Sequence, residues 1–392
     1  MATSAEVRIA LRLLALALAL GMAAPVSAEP GVTDSEIVIG CSTSLSGPLA
    51  FTGEQAARFG VDLYVKAVND AGGIASRKIR TVYYDDGYSP EKALANTRTL
   101  VERDRVFAIV APLGTTPVSA TVAYLEHQRV PLIFPLQESP RTRGRKYVIS
   151  GTMLADRQSR LIVDYLAGER KYQRLGVLYQ TGDLGRQWLA ALARDLGRHD
   201  MKPVAVEGIK PGVMDVTAEI ARLRAAKPQV TLLVLTPGAA AQALKQRQKI
   251  GWTDTVMVTT GALTDERYLG LAAAAAEGVE GLAIWPDPFT SDRPGVRQYH
   301  DRLRRYFPKS DPSRYSLAGY FAAMLFVEGA KRAGRDLTRD RLIAALESVK
   351  VWDSGILPPL SIGADHETQK QGVWIRSEKS AFKALTDWLT AK

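Results

Sequence analysis

Few residues in this chain are spaced for bond-making chemistry. The four histidines, His127, His199, His300 and His366, fall on separate predicted elements. No Gly-x-Ser-x-Gly elbow, phosphate-binding Gly-x-x-x-x-Gly-Lys loop, Gly-x-Gly-x-x-Gly turn or His-Glu-x-x-His pair is present. The carboxylate pair Asp85-Asp86 closes a predicted strand, where such residues cap loops. What the chain does carry is small hydroxyls and glycines in loops that run into helices. Two such stretches are Ser42 to Gly53 and Leu113-Gly114-Thr115-Thr116-Pro117. There, Ser/Thr hydroxyls and the free N–H groups of a helix N-terminus suit a carboxylate or a carbonyl. That is the chemistry of holding a ligand, so the expectation is a protein that is not an enzyme and uses no metal or cofactor.

The elements that must position these loops alternate along the chain. Ile37 to Ile39 opens a short β-branched strand. A helical pattern follows, with Ala56, Phe59, Gly60, Leu63 and Ala67 on one face, and Thr52 with Gln55 has capping-box spacing. Strands are predicted at Ile79–Asp85, Val106–Ala111 and Val130–Pro135, with helices at Pro90–Arg103 and Pro117–Gln128 between them. Tyr147–Ser150 reads as a crossing strand. A second strand–helix series runs from Asp156 to Trp285, and helices return at Gly295–Phe307, Tyr315–Ala333 and Thr338–Glu347. The tail from Val351 to Arg376 is rich in Gly, Pro and short strands. Such alternation predicts an α/β fold with parallel sheets covered on both faces. The late helices lack strands for a third sheet, so they return to the first lobe. The expected division is 36–148 with 286–349 in one lobe and 149–285 with 350–392 in the other. Crossings near 148, 286 and 350 would form a three-segment hinge that restrains opening and closing.

At 392 residues, two lobes are the natural size, and 46% hydrophobic with 23% charged residues excludes a disordered chain. Arg8 and Arg12 precede an apolar run from Leu13 to Ala24, and Val26-Ser27-Ala28 ends in small residues. This pattern predicts a signal peptide over 1–28, cleaved after Ala28, and a soluble protein outside the cytoplasm. Val38-Ile39-Gly40-Cys41 resembles a lipoprotein cleavage box. The polar stretch from Glu29 to Glu36 separates it from the apolar core, so Cys41 is expected to be a buried thiol on the first strand. The net charge of +10 is spread along the chain. Its densest group, Arg141, Arg143, Arg145 and Lys146, lacks interleaved aromatics other than Tyr147 and reads as a solvated connector, so no nucleic-acid partner is expected.

Several phrases carry a resemblance. IVIG…LSGPLAFTGEQAARFGVDLYVKAVNDAGGI, YYDDGYSPEKALANTRTLVERDRVFAIVAP, RVPLIFP and the late SGILPPLSI…H…QGVWI resemble the solute-binding proteins of branched-chain amino acid ABC importers. The resemblance runs over nearly all of the chain after its first segment. It implies a type I periplasmic binding protein: two doubly wound, Rossmann-like lobes that close on a ligand and deliver it to a membrane permease.

By that resemblance, Thr115 stands where the family places a serine on the ligand carboxylate, with Thr116 beside it. Glu138 stands where amino-acid binders carry a small hydroxyl, and is expected to pair with Arg141 or Arg157, or else to meet a ligand ammonium. Gly261 stands where they carry an acidic residue for that ammonium, and Thr236–Gly238 replaces a tyrosine-bearing loop. An ammonium buried without a partner would cost several kcal/mol. The expected ligand is therefore a small carboxylate or amide with an apolar or aromatic body, and the alternative is a branched-chain or other neutral amino acid. The candidate binding residues are Ser46, Phe51, Thr52, Leu113, Gly114, Thr115, Thr116, Leu136, Gln137, Glu138, Leu184, Gly261, Ala262 and Trp285. A small molecule and a permease are the expected partners of a monomer. A ligand-sensing receptor domain is the reading from another class, and a secreted hydrolase would need a nucleophile and base within hydrogen-bond reach.

Overall fold

Apolar strands bounded by loops and helices assemble here into two sheets. The computed structural model describes residues 29–390, so the expected signal segment lies outside the described residues. The first sheet holds β1 (Glu36–Thr43), β2 (Lys78–Asp85), β3 (Ala108–Val110), β4 (Leu132–Ile133) and β5 (Val148–Ile149) in the order β2-β1-β3-β4-β5. Every pair in it is parallel. The second sheet holds β6 (Leu175–Gln180), β7 (Ala205–Ile209), β8 (Val230–Val234), β9 (Val256–Thr259), β10 (Glu280–Ala283), β11 (Gln371–Glu378) and β12 (Ala381–Thr390). Their order is β12-β11-β10-β9-β8-β6-β7. Strands β3, β8 and β10 are buried at every residue, as strands covered by helices on both faces must be. The C-terminal edge departs from the parallel expectation. β11 runs antiparallel to β10, and β12 runs antiparallel to β11 because the tight turn at Lys379–Ser380 that joins those two leaves no length for a crossover helix.

In both sheets the order reverses at one point, between β1 and β3 and between β6 and β8. Loops at the carboxyl ends of strands diverge at such a point and leave a crevice. The two crevices face each other. The first strand is longer than its apolar run suggested, and Cys41 lies on it, free and buried.

The helix after β1 corrects the Thr52–Gln55 capping box. A short 3-10 turn (Gly47–Leu49) leads straight into the helix at Ala50, so Thr52 is already inside it. Gln55 instead accepts a hydrogen bond from Ser313 Oγ at 3.1 Å. This helix widens into a π turn over Ala57–Val61, where it crosses the helix Arg314–Ala333. The crossing is backbone to backbone: a Cβ on Gly319 would lie 1.9 Å from the Ala56 carbonyl oxygen, and one on Gly60 2.6 Å from that of Ser316.

The third crossing lies later than 350. Residues 351–362 pack on the first lobe: Trp352 stands 5.5 Å from Phe321, Gly295 N–H donates to the Gly355 carbonyl, and Ile362 N–H to that of Val349. The chain then pairs Ser150 with Glu367 and enters the second sheet at Gln371. The basic group around 141–146 is held by intramolecular bonds at this hinge. Arg141 pairs with Asp183, Arg143 with Asp156 and Glu367, and Lys146 with Asp340, while Arg145 donates to the Arg141 carbonyl.

Candidate ligand-binding site

The facing loops enclose an inner chamber of about 100 Å3. From the first lobe it takes Leu49 and Thr52 after β1, Tyr88 after β2, Leu113, Gly114 and Thr115 after β3, and Leu136, Gln137 and Glu138 after β4. From the second it takes Leu184, Val234 to Pro237, Thr260 to Ala262, Ile284 and Trp285. The lining is mostly apolar with a few directed polar groups, as small-molecule sites are.

Local chemistry explains how the first-lobe groups are held. The loops after β3 and β4 are laced together, Gly114 N–H donating to the Leu136 carbonyl and Leu136 N–H to that of Pro112. Gly114 adopts φ +102°, and a Cβ there would lie 2.6 Å from the Tyr88 ring, so glycine is required twice over. The helix Thr115–His127 starts at the next residue, and its first N–H groups have no partner within the helix. Thr115 Oγ1 accepts from Glu138 N–H at 3.1 Å, which leaves its own proton to donate.

Asp85 and Asp86 cap loops. Asp85 accepts from the N–H groups of Leu45, Ser46 and Gly87, and Asp86 from the Ser42 and Ser44 hydroxyls and the Tyr88 N–H. That capping holds Tyr88 in the left-handed region at φ +68° and places it on the chamber wall, where burial pushes its hydroxyl up to about 12.

Glu138 has neither arginine as partner, which corrects the pairing expected for it. Arg141 goes to Asp183 and Arg157 to Asp365 and Glu367. The two Glu138 oxygens accept from Trp188 Nε1 at 2.8 Å and Gln158 Nε2 at 2.9 Å, both groups of the second lobe. Burial raises its pKa, and those two hydrogen bonds oppose the rise. Gln158 Oε1 in turn accepts the Gly261 N–H at 2.9 Å. A Cβ on Gly261 would lie 3.0 Å from two Ile284 carbons and 3.1 Å from Gln158 Oε1, so an acidic side chain there would have to displace its neighbours.

Cross-lobe bonds hold the chamber shut. Arg314, at the start of its helix, gives its N–H to Asp265 Oδ2 at 2.9 Å and its guanidinium to the Thr264 carbonyl and Glu266. Tyr315 OH donates to the Ala262 carbonyl at 2.6 Å. On the other side Ser119 Oγ donates to Asp183 at 3.0 Å. The Arg267 guanidinium covers the Phe51 ring at 3.5 Å.

Eleven of the fourteen candidate residues line this inner chamber, and three do not. Phe51 lines a second, outer space. Ser46 is exposed, because its backbone is turned onto Asp85. Thr116 is half-buried beside Tyr88, one position past the residue that faces inward. Sequence reasoning missed Tyr88, Thr152, Asp265, Arg314 and Tyr315. The Tyr88 side chain follows Asp86 within a strand-end loop, a usable signal. Arg314 and Tyr315 follow the helix cap Ser313, whose place in the fold depends on the distant crossing at Gly60 and Gly319.

Among the described residues, no group of three or more His, Cys, Asp or Glu is placed to hold a metal, and no helix is long and apolar enough to cross a membrane. The chain is 26% identical over 252 residues to an amino acid binding protein of Pseudomonas aeruginosa, covering 64% of this chain and 67% of that one. A fatty acid ABC transporter substrate-binding protein from Thermomonospora curvata superposes with a TM-score of 0.85 at 24% identity, over 93% of this chain and 95% of that one. A solute binding protein of an ABC transporter from R. palustris, in complex with benzoate, does so with 0.80 at 17% identity, over 91% and 98%. The sequence pattern of the family described as periplasmic binding protein matches residues 36–380. With nearly the whole of both lobes inside that match, the chain belongs to the periplasmic binding protein family.

Proposed function

We propose that this protein is a monomeric, periplasmic solute-binding component of an ABC importer that hands its ligand to a membrane permease. Its ligand is a small carboxylate or amide with an apolar or aromatic body. The observation that carries this reading is the division of labour in the chamber. The Thr115 hydroxyl and the N-terminus of the helix Thr115–His127 stand on one side, and Leu184, Leu235, Ile284 and Trp285 on the other. The polar end is held by the first lobe, and the second lobe covers the body. A ligand that touches both lobes favours the closed arrangement by its differential affinity, for which a micromolar binder has about 8 kcal/mol available. The partner permease and the signal segment follow from the family and from the reading of 1–28. The names of two structural relatives, with a fatty acid and with benzoate, agree with this ligand class.

One observation favours a second reading. The Glu138 carboxylate borders the chamber without a cationic partner in its hydrogen bonds, and a ligand ammonium would neutralise it. That would make the ligand a neutral amino acid, the class printed for the Pseudomonas relative. A thermal-shift screen of aromatic and aliphatic carboxylates, amides and amino acids separates the two. Carboxylates without an amine should raise the melting temperature, and Thr115→Ala should weaken them about tenfold, the loss of a hydrogen bond to a charged group. A shift with leucine or valine alone overturns the carboxylate reading, and unchanged affinity in Thr115→Ala removes that residue from the site.

A further inference from the structure

The inner chamber does not end at a closed wall. An outer space of about 390 Å3 abuts it at a ring of Thr52, Tyr88 and Tyr315 from the first lobe and Thr236, Pro237 and Ala262 from the second. Beyond the ring the lining includes Phe51, Val213, Met214 and Leu271. Large hydrophobic side chains exposed one by one need no explanation, but grouped at one opening they do. Val213 at 37%, Met214 at 49% and Leu271 at 44% are three of the seven most exposed large hydrophobics of the described residues, and all three stand at this mouth. The ring carries the hydroxyls of Thr52, Tyr88 and Thr236, and other polar groups at it are already engaged. The Tyr315 hydroxyl is spent on the Ala262 carbonyl, and the Asp265 oxygens beside it on the N–H groups of Arg314 and Arg267. The inner chamber alone falls below the roughly 300–1000 Å3 of a site for a drug-sized molecule, so a ligand longer than a compact head has the outer space to extend into.

We propose that the ligand is amphipathic: a carboxylate head held at Thr115 in the inner chamber and a hydrocarbon tail that passes the ring and lies against Met214 and Leu271. This rests on the carboxylate reading above and extends it from a compact body to an extended one. Met214 suits the task, because an unbranched, polarizable side chain adapts to tails of different length. Gly238, on the wall of the outer space, supplies a plug. A Cβ there would meet only Met214, at 3.5 Å, so a larger side chain fits the fold and occupies the tail's place.

The test is calorimetric titration of the protein with straight-chain carboxylates from butanoate to dodecanoate. The dissociation constant should fall about fourfold per methylene buried. It should go on falling beyond the length at which Gly238→Leu stops gaining. The double variant Met214→Ser/Leu271→Ser should lose affinity only for the longer members. If the wild type and Gly238→Leu level off at the same length, or the double variant weakens short and long members alike, the tail assignment is overturned while the head site stands. If no carboxylate of any length binds, the head site fails and the tail assignment with it.

Discussion

The two walls of the cleft are built by one device, loops at the carboxyl ends of parallel strands, yet they differ in what they leave free. In the first lobe the loop after β3 enters its helix at Gly114, and Thr115 at the start of that helix lines the chamber. In the second lobe the comparable loops present mostly apolar side chains to the inner chamber. The helix Pro237–Lys249 starts with a proline, which has no N–H, and its next two N–H groups belong to Gly238 and Ala239, residues that line the outer space. The helix Asp183–Gly197 has Asp183 in its first turn, and that carboxylate already takes Ser119, Arg141 and Arg186. The Gly261 N–H is taken by Gln158. Toward the inner chamber the first lobe therefore presents the Thr115 hydroxyl and a helix start, and the second presents Leu184, Ile284 and Trp285. For the carboxylate ligand proposed above, the difference sets an order of events: a polar head engages the first lobe while the cleft is open, and burial of the body drives the second lobe down.

The largest effect that could break this comparison is in the apolar wall. Trp285 is 4% exposed and packs edge-on to Phe134 at 5.9 Å and Phe321 at 5.6 Å, so it joins the walls as well as covering a ligand. Trp285→Ala should cost about 3–5 kcal/mol in urea unfolding. A loss under 1 kcal/mol would make the second wall a passive cover.

Next comes the latch at the rim. Burial pushes Glu266 up to about 7, against the charge of Arg314 and with Asp265 adding to the rise. The folded protein thus holds that proton more tightly than the unfolded chain. The stabilisation is complete below the ordinary value of 4.5 and is lost as pH rises through about 7. Between pH 5 and pH 8 the wild type should lose at most about 3 kcal/mol relative to Glu266→Gln, at about 1.4 kcal/mol per pKa unit. Parallel pH profiles of the two proteins would show that the latch does not titrate.

A smaller loss is expected where the two walls meet at Glu138. Both its oxygens accept, so the amide of Glu138→Gln must present an NH2 to Trp188 Nε1 or to Gln158 Nε2. The unsatisfied donors should cost about 1–3 kcal/mol in thermal or urea denaturation. Full wild-type stability would mean that the carboxylate is not held as described. Smallest of all, Arg267→Ala removes the cation over Phe51, worth about 0.5–1 kcal/mol at an exposed site. It should speed ligand release two- to fivefold in stopped-flow measurements, and an unchanged rate would take this contact out of closure.

Much of this arrangement was legible from residue order. The alternation of apolar runs with helical patterns placed the loops of Ser42–Thr52, Leu113–Thr116 and Leu136–Ser139 at strand ends, and strand ends are where two facing sheets leave room. The Gly-Thr-Thr spacing marked a helix entry with free donors. The Thr52–Gln55 box misled because local spacing cannot say where a helix begins when a 3-10 turn precedes it. The partner of Glu138 was misassigned for a related reason. Arg141 is three residues away in the chain, but the Trp188 and Gln158 donors are brought closer by packing, and Asp183 competes for the arginine.

The sequence by itself determined most of the segments that become strands and where small hydroxyls and free N–H groups meet a helix start. These follow from propensity, periodicity and steric need, all of which act over a few neighbouring residues. Only the tertiary structure decided that Tyr88, Arg314 and Tyr315 join the wall. Their directions depend on a left-handed turn imposed by Asp86 and on two helices touching backbone to backbone at Gly60 and Gly319, more than 250 residues apart in the chain.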